Sequence, residues 1–119
     1  MLIVLTAVGS ALGGVARHCI SLAIGTSTGF PVATFVINTA GSLLIGLVSG
    51  SLTHIGSHTE AIRAFAVVGL CGGFTTFSTF SNDSFRMVEN GEWGILSAYV
   101  FGSILAGFAA VWIGYLVSR

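Results

Sequence analysis

Four long apolar stretches separated by short polar ones set the pattern of this chain. Runs free of Asp, Glu, Lys and Arg cover residues 19–53, 64–82 and 93–118, and a further apolar stretch opens the chain at Leu2. A helix needs about 20 apolar residues to cross roughly 30 Å of hydrocarbon. The pattern predicts an all-α membrane protein: four transmembrane helices, at about residues 2–24, 32–52, 62–88 and 93–117, in one domain covering residues 1–119. Residues 25–31 read as a turn, with Pro31 placed to start the second helix. Residues 54–60 form the clearly polar connection, and residues 89–92 a turn ahead of Trp93, an interfacial anchor. Met1-Leu2-Ile3-Val4-Leu5 lacks the charged start of a signal peptide, so the first helix is expected to be retained.

The third stretch interrupts its own pattern. Gly69-Leu70-Cys71-Gly72-Gly73-Phe74-Thr75-Thr76-Phe77-Ser78-Thr79-Phe80-Ser81-Asn82 sets paired glycines and a dense run of hydroxyls and phenylalanines inside an apolar span. Each glycine weakens a helix by roughly 1 kcal/mol relative to alanine. Thr75, Thr76, Ser78, Thr79 and Ser81 can bond the backbone groups that a broken helix frees. A break is therefore expected near residues 72–76. Such backbone persists at membrane depth only where it is buried in protein or lines a cavity. Phe74, Phe77 and Phe80 recur every three residues and so lie along one flank. These features point to a transport site, with a packing kink as the plain alternative.

The other spans carry small and polar residues at helical spacing. Gly9 and Gly13, and again Gly46 and Gly50, form GxxxG pairs that allow close helix approach. Arg17, about two thirds along the first span, must snorkel, find a partner or face a watery cavity; His18 beside it has no evident task. Asn38 and Ser42 share a face of the second span, where an asparagine either joins helices or lines a pathway. The last span has a small stripe, Ala98, Gly102, Ala106, Ala110 and Gly114, suited to tight contact. Beside it Tyr99, Ser103 and Gly107 form a second stripe, polar at its start. Asp83 and Arg86, three apart, are placed to pair with one another.

Composition narrows the class. Of 119 residues, 54% are hydrophobic and only 7% charged, against about 25% charged in soluble domains; mean hydropathy is +0.98. Net charge is zero and no basic run exists, so nucleic acid has no electrostatic footprint here. Cys19 and Cys71 lie in apolar segments without metal or disulfide spacing and read as small packing residues. His54 and His58 are four apart but have a glycine between them, which leaves no firm frame for a metal. Four spans put Arg63 and Arg119 on one side of the membrane and Arg17 and Arg86 on the other. Orientation follows the Lys/Arg imbalance, and two against two gives none. Dual topology and antiparallel pairing of identical subunits follow as an expectation, recreating the inverted repeats of larger transporters.

Gly13-Gly14-x-x-Arg17, Pro31-x-x-Thr34-x-x-x-Asn38-x-x-Gly41-Ser42 and Gly69-x-x-Gly72-Gly73-x-Thr75-Thr76-Phe77-Ser78-Thr79-Phe80 together resemble the CrcB/Fluc family of bacterial fluoride channels over the whole chain. The resemblance implies an antiparallel dual-topology homodimer in the bacterial inner membrane. Two pores would carry fluoride, and a structural sodium ion would sit at the dimer centre. It implies backbone carbonyls of Gly72 and Thr75 as sodium ligands and Phe77 and Phe80 as the pore phenylalanines. Asn38 would be a pore-side amide donor, with Ser78 and Thr79 as nearby hydroxyls. Tyr99 and Ser103 would form a hydroxyl track, and Arg17 would lie near a vestibule. The sequence departs from the pattern at Gly107, where the track would continue.

The chemistry fits a pore for fluoride, a small and strongly hydrated anion. Amide and hydroxyl donors can stand in for its water, and the positive edge of a phenylalanine ring meets an anion without holding it as an arginine would. The alternative is a small dual-topology proton-coupled multidrug exporter, which needs an intramembrane carboxylate; the first two spans hold none. A purely structural subunit would leave the phenylalanine–hydroxyl run unexplained. An enzyme is not expected, because the spans show no nucleophile–base pair or metal cluster.

Overall fold

The computed structural model describes residues 1–26, 29–55 and 59–119 and contains four helical runs long and apolar enough to cross a membrane. Residues 27–28 and 56–58 lie outside it, and with them part of two expected connections and His58 of the histidine pair. Helix α1 (Leu2–Ile24) stops at Gly25, whose φ of 74° no ordinary side chain favours, and the Gly25 amide closes on Ser21 O at 3.0 Å. Helix α2 (Val32–Ser51) follows Pro31 and tightens into a 3₁₀ turn at Leu52–His54.

The third run, Thr59–Glu89, changes character along its length. A short α3 (Thr59–Ile62) leads into a π-helical segment, Arg63–Cys71, then into one turn of α4 (Gly72–Phe74). Thr75 (φ −79°, ψ 157°) and Thr76 (φ −147°, ψ 114°) are extended, and α5 (Phe77–Glu89) resumes after them. The paired glycines are thus not the extended residues. Gly72 is helical, at φ −62° and ψ −39°, and both glycines belong to α4. A wide π turn of this length carries no signature in a single sequence, and it is the part of the span that the hydrophobic pattern did not foreshadow. Gly91 (φ 70°) makes the tight turn into α6 (Trp93–Ser118), with its amide on Val88 O at 3.1 Å and that of Glu92 on Met87 O at 2.9 Å.

Packing joins alternate spans, which run parallel. Gly9 and Gly13 of α1 lie against Phe65, Gly69, Leu70 and Phe74 of the third run. Gly69 and Gly73 answer them by admitting the backbone of Thr6 and Ser10, and Thr6 Oγ1 donates to Ala64 O at 3.2 Å. Gly46 and Gly50 of α2 meet the backbone of α6 around Val111 and Tyr115, while a Cβ at Gly114 would stand 2.5 Å from Leu43 O. Only the later part of the small α6 stripe is used in this way: Ala110 and Gly114 are buried, whereas Ala98 is exposed and Gly102 has only Phe35 nearby at 3.9 Å. The opposite flank of α6, including Phe101, Leu105 and Phe108, faces outward, as a lipid-facing surface does. Of the two cysteines Cys71 is buried, but Cys19 is exposed on α1 and does not serve as interior packing.

The α1 interface gives a paired prediction. A Cβ at Gly13 would stand 2.8 Å from Phe74 N and closer still to Leu70 O, whereas Gly14 has nothing within 4 Å. Gly13→Ala is expected to lower stability by about 1–3 kcal/mol through overpacking. Gly14→Ala should be neutral or stabilising by up to about 1 kcal/mol. Thermal unfolding in detergent, followed by size-exclusion chromatography, measures both.

Candidate functional site

The extended pair Thr75–Thr76 frees backbone groups that an unbroken helix would satisfy, and α2 captures them. Asn38 Nδ2 donates to Thr76 O at 3.0 Å, and Thr76 N–H donates to Asn38 Oδ1 at 2.8 Å. One primary amide thus pairs with both backbone polar groups of one residue, as a neighbouring β-strand would. Gly41, one turn along α2, leaves room for the Thr75 methyl and the Phe74 ring. Thr75 turns back on the end of the π-helical segment, its N–H and Oγ1 both donating to Cys71 O at 2.9 Å. Thr76 also caps α5: its Oγ1 accepts from Thr79 N–H at 3.2 Å, donates to Thr79 Oγ1 at 3.0 Å and lies 3.3 Å from Ser78 Oγ.

Beside this knot lies an open cleft of about 370 Å³ between α1, α2 and α5, lined by Arg17, His18, Thr34, Thr76, Ser78 and Thr79 among others. One fixed cation and several hydroxyls there suit an anion. On the other flank of α5 the aromatic rings form a row. Phe77 and Phe80 have centroids 5.8 Å apart, Phe80 and Tyr99 5.1 Å, and Tyr99 meets Phe30 edge-on at 5.4 Å. Phe77 is 80% exposed while Tyr99 is fully buried. Asp83, one turn beyond Phe80, accepts at Oδ2 from Thr34 Oγ1 at 2.9 Å and from Tyr99 Oη at 3.2 Å. The expected use of Asp83, pairing with Arg86, gives way to two neutral donors from α2 and α6.

With this geometry in place, likeness to known proteins decides the family. The family model described as CrcB-like protein, Camphor Resistance (CrcB), matches residues 4–115. The chain belongs to the CrcB family. Among its relatives, a protein of Nitrobacter winogradskyi named fluoride-specific ion channel FluC is 44% identical over 98% of this chain and 94% of its own. Proteins of the same name from Methylobacterium nodulans and Flavobacterium psychrophilum are 44% and 39% identical, over 94% and 95% of this chain and 91% and 93% of theirs.

Within this CrcB chain most of the residues singled out from sequence fall into two neighbourhoods. Asn38, Ser78 and Thr79 surround the extended pair, to which Thr75 belongs, with Arg17 across the cleft. Phe77, Phe80 and Tyr99 form the ring row. Ser103, one turn beyond Tyr99, has a buried hydroxyl with no hydrogen-bond partner among the described residues. Gly72 is exposed, and a Cβ there would meet only Val67 O, at 3.8 Å. Sequence reasoning passed over Thr34, Thr76 and Asp83 as site residues. Thr34 stands four residues before Asn38 and so on its face, and Asp83 stands three after Phe80; that spacing was the available signal.

Proposed function

We propose that this chain is the subunit of a fluoride-selective channel that lets the anion leave the cytoplasm down its gradient. The observation that carries this reading is the extended Thr75–Thr76 pair, held by Asn38 amid neutral donors and ring edges. Only one of the two Nδ2 hydrogens of Asn38 goes to Thr76 O, so the other remains to meet an anion. Arg17 at the cleft attracts fluoride, and hydroxyls and phenylalanine edges then take over from water. Each of these contacts is weaker than an ion pair, which lets the anion leave again. The names borne by relatives across nearly the full chain support a channel over an enzyme.

The same reading takes the channel to be an antiparallel dual-topology homodimer in the bacterial inner membrane, with two pores, lipid around it and the interruption of the third span near mid-membrane. The even split of arginines supports it. A sodium ion fits the carbonyls of Gly72 and Thr75. In a continuous helix Thr76 N–H would close on Gly72 O, and Thr79 N–H on Thr75 O. These amides are spent instead on Asn38 Oδ1 and Thr76 Oγ1, which leaves two hard oxygens of the kind that unwound transporter helices offer to sodium. A second antiparallel copy would supply the same pair, and the bound cation would fix the two interruptions to one another.

Asp83 is the one observation favouring the exporter, since it is a carboxylate in a membrane-crossing helix, and one assay separates the readings. Liposomes holding the purified protein and loaded with fluoride and chloride are expected to release fluoride fast and retain chloride, as read by ion-selective electrodes. Release should persist when a proton gradient is collapsed at constant fluoride gradient; arrest would favour the exporter. In the same preparation a Glu60→Cys variant lacking Cys19 and Cys71 should be labelled from both membrane faces in comparable amounts. Labelling from one face would end the dual-topology reading.

A further inference from the structure

The hydroxyl stripe of α6 stops at Gly107, and a side chain from α2 stands where the next hydroxyl would be. Tyr99, Ser103 and Gly107 recur every four residues and share a face. A Cβ built at Gly107 would meet Ser42 Oγ at 3.5 Å, ordinary van der Waals contact. Because α2 and α6 run parallel, Ser42 lies one turn beyond Asn38 as Gly107 lies one turn beyond Ser103. Helix serines commonly donate to the carbonyl four residues back, as Ser51, Ser84, Ser97 and Ser118 do here. Ser103 and Ser42 do not, nor do Ser10, Ser21, Ser49 and Ser81; of these, among the described residues, Ser103 alone has an Oγ that is fully buried without a partner. A buried hydroxyl left without a partner is costly unless something intermittently occupies it.

We propose that Ser42 supplies the hydroxyl that Gly107 lacks, so that beyond Tyr99, whose O–H is given to Asp83 Oδ2, the free donors run from Ser103 on α6 to Ser42 on α2. The proposal rests on the fluoride-channel reading and extends it to a residue that determines how the anion is handed on. A helix contact needs a small residue at one of the two facing positions; here the glycine is on α6 and the serine on α2. Ser103 and Ser42 are neutral donors at successive turns, and neither carries a fixed charge that would trap the anion.

The test compares fluoride efflux from liposomes for wild type, Ser42→Ala and the double variant Ser42→Ala with Gly107→Ser. Ser42→Ala is expected to lower flux about fivefold, roughly 1 kcal/mol of barrier, with its melting temperature and elution unchanged. The double variant should recover most of that loss, because the Cβ at residue 107 fits and its hydroxyl points into the space that Ser42 vacates. Should Ser42→Ala fold poorly, Ser42→Cys keeps the bulk with a far weaker donor and should show the same loss. Wild-type flux from a folded Ser42 variant overturns the proposal, as does a loss that Gly107→Ser fails to restore. A wild-type protein that releases no fluoride would instead overturn the channel reading itself.

Discussion

Replacing Phe77 or Phe80 by isoleucine should cut fluoride flux at least about tenfold, roughly 1.4 kcal/mol on the barrier, while the protein stays folded. Phe77 is 80% exposed on the single chain, so its ring contributes little to the subunit's own core and its loss should cost little stability. Phe80 lies between Phe77 and Tyr99; a volume-conserving aliphatic there should cost less than about 1.5 kcal/mol. What isoleucine removes from both is the ring quadrupole, whose positive edge attracts an anion. Phe74 is the internal control. It follows the same three-residue spacing but is 7% exposed and packed beside Gly41, so Phe74→Ile should lower the melting temperature more than it lowers flux. Equal flux loss at all three positions would indicate general disruption around the extended pair and remove the case for ring–anion contact.

The four spans were legible because run length alone decides whether a helix reaches across hydrocarbon. The GxxxG pairs were legible as sites of close approach, but their partners were not: nothing local tells Gly9 and Gly13 that they will meet the third run, or Gly46 and Gly50 that they will meet α6. The hydroxyl–phenylalanine run marked the region where the third run leaves helical geometry, at Thr75 and Thr76. Its geometry depends on contacts that a local pattern does not contain. The glycines drew attention to residues 72–73, yet Gly73 serves to admit the Ser10 backbone, and the extended residues lie just beyond, where Asn38 reaches Thr76 from 38 positions away. Asp83 makes the same point. Its near neighbour in sequence is Arg86, but folding brings it Thr34 from 49 positions away and Tyr99 from 16.

That long-range amide contact carries the second large expectation. Asn38→Ala would strip both backbone polar groups of Thr76 of their partner inside a membrane-crossing segment. Each buried unsatisfied group costs about 1–3 kcal/mol, so a destabilisation of at least about 2 kcal/mol is expected, seen as a lower melting temperature in detergent. Asn38→Asp separates the clamp from the donor role. A carboxylate keeps the shape and can still accept from Thr76 N–H, but it has no hydrogen to give Thr76 O or a passing anion. Its negative charge also repels fluoride. Stability should then fall less than in Asn38→Ala, while flux should drop at least about a hundredfold, roughly 2.7 kcal/mol. An Asn38→Ala protein as stable as wild type would mean that the extended pair holds without the amide. An Asn38→Asp protein conducting at the wild-type rate would mean that Asn38 fixes the backbone and never meets the ion, leaving the hydroxyls and ring edges to replace its water.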